Sequence, residues 1–218
     1  MVSKIDEREL IAKVTERVMA VLQQQQPSDG LIPVGISVRH VHITPADLER
    51  LYGPGAQLTK LRDLRQPGEF ASNQTVTLIG PRMRPIENVR ILGPTRSHTQ
   101  VEVSRTDAIV LGLNPPVRPS GQITGTPGIT LVGPAGVVVL KEGVICANRH
   151  IHLSEADVVR FGVKPDQEVE VEVEGDKALI FEHVQIRVGK FNLEMHLDTD
   201  DANAAGINCG AKAWLRKR

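Results

Sequence analysis

The stretch Arg39-His40-Val41-His42 returns later in the chain as Arg149-His150-Ile151-His152. Adjacent residues of a strand point to opposite faces, so the two histidines of each copy share a face and the apolar residue between them turns away. Two imidazoles so placed can chelate one metal ion. Four of the seven histidines are used this way, which makes the pairs a stronger metal signal than any isolated histidine. Zinc best suits nitrogen ligands completed by a carboxylate, with iron, nickel or cobalt as alternatives.

Each pair needs more ligands. His196, within Met195-His196-Leu197-Asp198-Thr199-Asp200-Asp201, is the best third imidazole, and Asp198 shares its strand parity as a supporting hydrogen-bond partner. Glu102 lies between Val101 and Val103 and points away from the face those valines use, so it is a candidate carboxylate ligand. Cys146 has the parity of His150 but reads as a small buried hydrophobe. His98 and His183 belong to no motif and read as surface residues. Arg90, Arg96 and Arg105 flank the strand that carries Glu102, while Arg39 and Arg149 precede the histidines. A guanidinium beside a metal makes an anion site, so phosphate chemistry is indicated. Neither a Walker A loop nor a GxGxxG turn occurs, which disfavours nucleotide binding by those routes.

The elements that hold these residues can be read from the flanking sequence. The repeat runs from Val38 to Leu48 and from Asn148 to Val158, and each copy ends in a capping box, Thr44-x-x-Asp47 and Ser154-x-x-Asp157. Each unit is therefore a strand followed by a short helix, and two units imply a pair of related lobes. Other strands are expected over 34–38, 76–78, 89–91, 101–103, 109–111, 129–132, 137–140, 144–146, 168–174, 178–181 and 184–188. With 19 glycines, 14 prolines and 3% aromatic residues, many turns join short strands, as in small barrels or sandwiches. At the N-terminus, Leu10, Ile11, Val14, Val18, Val21 and Leu22 form a helical stripe over 5–22, followed by a polar linker with Pro27 and Gly30. That helix either packs on its own domain or docks in a partner's groove.

Lys plus Arg equal Asp plus Glu at 26 each, so no global field recruits nucleic acid or an anionic membrane. No apolar run is long enough to span a bilayer, and the charged start lacks a signal-peptide core, so an intracellular protein is expected. Two cysteines in a reducing compartment are expected to stay free.

Taken together, these motifs resemble the PduL-type phosphate propanoyltransferases, the phosphotransacylases of bacterial microcompartments. The resemblance covers about 34–215 and rests on Val38-Arg39-His40-Val41-His42, Ile86 to Pro94, Gln100 to Ala108, Asn148 to Ser154 and Met195 to Asn203. It implies a mainly β fold of two small, pseudo-two-fold related β-barrels with short capping helices. One barrel would be discontinuous, from 31–39 and 148–218; the other would span 40–147 with a small insertion near 54–74. Residues 1–30 would be an amphipathic encapsulation helix and its linker, binding shell or cargo proteins in the microcompartment lumen. Two zinc ions are implied, one on His40, His42 and Glu102 and one on His150, His152 and His196. Arg96 would contact phosphate. Coenzyme A, as substrate, would lie near Ile36, Ser37, Val38, Arg82, Arg90 and Asn203, although Arg82-Met83-Arg84-Pro85 is one residue longer than the family's pattern. The implied activity is reversible transfer of a short acyl group, propanoyl above all, between coenzyme A and phosphate, in a homo-oligomer. A dinuclear metal hydrolase and a non-catalytic, zinc-stabilised microcompartment protein are the alternatives.

Overall fold

The computed structural model describes residues 30–216 and, singly, Thr15. The amphipathic helix expected over 5–22 and nearly all of its linker therefore lie outside the described residues. The chain is mainly β, with fifteen strands and four short helices among the described residues. In chain order the first half holds β1 (Leu31–Ser37), β2 (His40–His42), α1 (Pro45–Tyr52), β3 (Lys60–Asp63), β4 (Phe70–Ile79), β5 (Pro85–Gly93), β6 (Gln100–Glu102) and α2 (Arg105–Leu111). Next come β7 (Val117–Arg118), β8 (Ile129–Val132), β9 (Val137–Leu140), β10 (Val144–Ala147), β11 (His150–Leu153) and α3 (Glu155–Phe161). The chain ends with β12 (Glu168–Val173), β13 (Leu179–Val188), β14 (Glu194–Asp198), α4 (Thr199–Ala205) and β15 (Lys212–Leu215).

Six strands close a barrel in the order β1-β14-β11-β13-β12-β15. The other nine form one sheet, β7-β10-β6-β2-β5-β4-β8-β9, with β3 paired to β4 off that path. This second sheet is open between β7 and β9, where a closed barrel had been expected. Each layer buries its own apolar set. Ile32, Val34, Ile151, Ile186 and Met195 belong to the barrel core, and Val41, Ile43, Leu78, Ile91 and Val101 to the core of the open sheet.

All four helices follow one local rule. Thr44, Ser104, Ser154 and Asp198 are N-caps in extended backbone, and each side chain accepts from the amide three residues on. That bond satisfies one of the free donors of a helix start and stops the preceding strand. At Ser104 it overrides the apolar run Ile109 to Leu111, expected as a strand. The run is the last turn of α2, closed by Gly112 in the left-handed region at φ 77°.

Candidate active site

Two strand pairs present the histidines in the same register. In the open sheet β2 runs antiparallel to β6, placing His40 opposite Glu102 and His42 opposite Gln100. In the barrel β11 runs antiparallel to β14, placing His150 opposite His196 and His152 opposite Glu194. Val41 and Ile43, like Ile151 and Leu153, turn into the cores, so the imidazoles share the opposite face, as strand parity requires. All six expected metal-ligating residues line one cleft of about 860 Å³.

Within each group the candidate ligand atoms lie within 4.8 Å of one another, close enough to hold a metal ion. In the first, Glu102 straddles both rings, with Oε2 3.5 Å from His40 Nε2 and Oε1 3.7 Å from His42 Nε2. Gln100 holds that carboxylate, donating to Glu102 Oε1 at 2.7 Å and to Ser120 Oγ at 2.8 Å. The second group packs His150 against His196 with ring centroids 4.9 Å apart, and His152 against His196 at 4.6 Å.

The residues present fit a metal ion on two grounds. First, His40 Nδ1 lies 2.9 Å from the Val38 carbonyl, and His150 Nδ1 lies 2.9 Å from the Asn148 carbonyl. A carbonyl only accepts, so in both rings Nδ1 carries the proton and Nε2 keeps a lone pair for a cation. Second, His152 Nδ1 is buried without a hydrogen-bond partner, a costly state that coordination removes. His196 Nε2 faces Glu194 Oε2 at 3.1 Å.

Burial keeps His42, His150 and His152 neutral. It pushes His150 down to about 3 and His152 down to about 2, in both cases with His196 adding to the effect. His42 is lowered further still, by burial and then by His40. Burial alone would raise the Glu194 carboxyl, but contact with His196 and the Gln66 amide holds it below its ordinary value. The unfolded chain takes up a proton per histidine near pH 6.5, whereas the native rings refuse it until far lower pH. Below that value the unfolded state therefore binds more protons and native stability falls. Chelator-treated protein is expected to lose stability between about pH 6.5 and 5, at a slope of at most about 1.4 kcal/mol per pH unit for each such histidine. Urea unfolding at several pH values measures this; a flat profile across that interval would contradict the assignment of buried neutral rings.

The two arginines that precede the histidines are held by aspartates. Arg39 Nε binds Asp107 Oδ1 at 2.8 Å, and Arg149 binds both oxygens of Asp201 at 3.0 and 2.8 Å. Each aspartate stands at the third position of a capped helix, so these arginines lock α2 and α4 onto the histidine strands. Arg96 lines the cleft, donating to Glu69 Oε1 at 3.1 Å and Ser120 Oγ at 3.3 Å. Ile36, Ser37, Val38 and Arg90 also line it, with Arg90 donating to the Ser72 and Asn73 carbonyls at 3.0 and 3.2 Å.

Arg82 and Asn203 are not brought to the cleft. Met83 takes a positive φ of 56° in the longer turn, and Arg82 donates instead to the Ile109 carbonyl at 2.7 Å. Asn203 is exposed on α4. His98, expected at the surface, is half-buried on the cleft wall with its Nε2 buried and unpartnered. Thr99 pins that segment by accepting from the Thr44 amide at 3.1 Å and donating to Asp47 Oδ2 at 2.6 Å. His183 is exposed as expected, 2.7 Å from Glu168. Burial pushes the Cys146 thiol up to about 11, in keeping with a packing role. Cys209, by contrast, is exposed on the cleft and its Sγ accepts from the Ile36 amide at 3.2 Å.

Three functional-site neighbours carry no motif of their own. Glu194 is buried beside His196, and Gly35 makes room for it, since a Cβ there would lie 2.7 Å from Glu194 Oε1. Gln66, from the segment joining β3 to β4, reaches across to donate to Glu194 Oε2 at 3.1 Å. Arg187 on β13 lines the cleft.

A family model described as phosphate propanoyltransferase matches residues 33–208. Proteins named phosphate propanoyltransferase are 52% identical to this chain in Thermotoga maritima, over 93% of this chain and 96% of the relative. In Lachnoclostridium phytofermentans the figures are 51%, 92% and 95%, and in Salmonella typhimurium 47%, 93% and 94%. The match takes in both histidine groups and the cleft between them, and the chain belongs to the phosphate propanoyltransferase family.

Proposed function

We propose that this chain transfers a propanoyl or similar short acyl group reversibly between coenzyme A and inorganic phosphate. The convergence of two metal-competent groups and of arginines on one cleft, in a member of this family, carries the reading. A phosphate oxygen attacks the thioester carbonyl carbon, the carbon–sulfur bond breaks, and the coenzyme leaves as its thiolate while acyl phosphate forms. A zinc ion on His40, His42 and Glu102 would supply Lewis acidity toward the departing sulfur, and one on His150, His152 and His196 would add positive field. Arg96 orients phosphate and offsets its charge during attack, with Glu69 and Ser120 holding its fork in place. Ile36, Ser37, Val38 and Arg90 are the cleft residues we assign to coenzyme A. The test is whether thiol release from propanoyl-CoA requires phosphate.

We further propose two domains, 31–39 with 148–218 and 40–147, related by a pseudo-two-fold axis. The shared register of the two histidine pairs supports this division. Residues 1–30 are proposed to direct the enzyme into a microcompartment lumen by helix docking, a reading supported by their apolar stripe and polar linker. Residues 1–26 fused to a fluorescent protein should then give punctate signal in a compartment-forming host, dispersed by Val14→Asp. Diffuse signal from the unaltered fusion would end that proposal. Among the described residues no helix is long and apolar enough to cross a membrane.

A further inference from the structure

Arg187 stands on β13, where its register partner on β11 is His152. The side chain is half-buried and lines the cleft. Both metal-competent groups and Arg96 line that same cleft, so the guanidinium shares one space with each of them.

The other cleft arginines are paired within the protein or open to solvent. Arg39 binds Asp107 at 2.8 Å, Arg96 binds Glu69 at 3.1 Å, and Arg65 lies 3.9 Å from Glu194. Arg90 is held by backbone carbonyls, and Arg62 is exposed to solvent. Arg187 is different: among the described residues no acceptor hydrogen-bonds its side chain, and the carboxylates near it act only at a distance. A guanidinium stays charged at any working pH, and a half-buried charge without a counter-ion is unfavourable. Its planar fork fits two oxygens of one phosphate.

We propose that Arg187 binds the phosphate that becomes acylated, and the acyl phosphate in the reverse direction, as a second guanidinium opposite Arg96. This inference rests on the phosphotransacylase reading above. Arg96 shares its charge with Glu69, so Arg187, with no carboxylate in hydrogen-bond contact, adds the further positive charge that a dianion in the cleft calls for. Coenzyme A also carries phosphate oxygens, and the two sources separate kinetically.

The experiment uses the full-length, metal-replete chain and the variants Arg187→Gln and Arg187→Lys, with Arg96→Ala for comparison. The KM for phosphate, the KM for propanoyl-CoA and kcat are measured for each, and inorganic phosphate is titrated calorimetrically without coenzyme. Arg187→Gln should raise the KM for phosphate about 10- to 100-fold and weaken calorimetric phosphate binding by a similar factor. The KM for propanoyl-CoA should stay within about threefold, Arg187→Lys should recover part of the loss, and Arg96→Ala should show the same selectivity. An unchanged phosphate KM with unchanged phosphate binding overturns the proposal. So does a rise confined to propanoyl-CoA, which would give Arg187 to the coenzyme. If thermal melting shows that Arg187→Gln does not fold, Arg187→Lys alone decides, and equal KM changes for both substrates would overturn the assignment. A wild-type chain without phosphate-dependent thiol release would sink the functional reading itself, while the phosphate titrations would still decide whether Arg187 holds the anion.

Discussion

His40→Ala is expected to lower kcat/KM by at least about 100-fold and to remove one bound metal ion per chain. The reason is geometric. His40 Nε2 keeps its lone pair because Nδ1 is committed to the Val38 carbonyl, and Glu102 lies 3.5 Å away with its other oxygen toward His42. Removing the ring leaves a buried carboxylate and one imidazole, too few donors for tight binding, and the carboxylate then stays buried without a cation. His150→Ala should remove a different ion, because its partners are His152 and His196 on a separate strand pair. Elemental analysis beside kinetics distinguishes the two sites. A His150→Ala protein that keeps two ions and full activity would refute the two-site arrangement.

Much of this site is legible in the sequence because it is built from local rules. Strand parity alone places His40 with His42 and His150 with His152, and the valine between Gln100 and Glu102 turns the carboxylate to the same side. What sequence reasoning missed depends on recognising a weaker form of the same repeat. Gln100-Val101-Glu102-Val103-Ser104 and Glu194-Met195-His196-Leu197-Asp198 repeat the polar-apolar-polar-apolar-cap pattern of the two His-x-His strands. Read that way, Ser104 and Asp198 announce α2 and α4, and Glu194 and Gln100 become the counterparts of each other beside the two metal-competent groups. The apolar run in α2 hid its helix because three apolar residues alone cannot distinguish a strand from a last helical turn.

Other features lie beyond any local signal. Gln66 reaches Glu194 across the fold, at a sequence separation no motif spans. Arg39 and Arg149 looked like anion contacts from their position beside histidines, yet Asp107 and Asp201 claim them. Arg187, far from every motif, becomes notable only when the partners of all cleft arginines are accounted for. The open edge of the nine-stranded sheet is equally invisible, since barrel closure depends on strand pairing at long range.

In the proposed reaction phosphate itself accepts the acyl group, without a covalent enzyme intermediate or water as the acceptor. Cys209 is the cleft thiol that an acyl-enzyme route would use, and its exposure makes that route a concrete rival. The most direct measurement is rapid mixing of stoichiometric metal-replete enzyme with propanoyl-CoA, following free thiol with and without phosphate. Direct transfer predicts no thiol burst without phosphate and, with it, one acyl phosphate formed for each thiol released, unaltered in Cys209→Ala. A burst of one thiol per chain in the absence of phosphate, or continuous release with propanoate as product, would rule out direct transfer to phosphate.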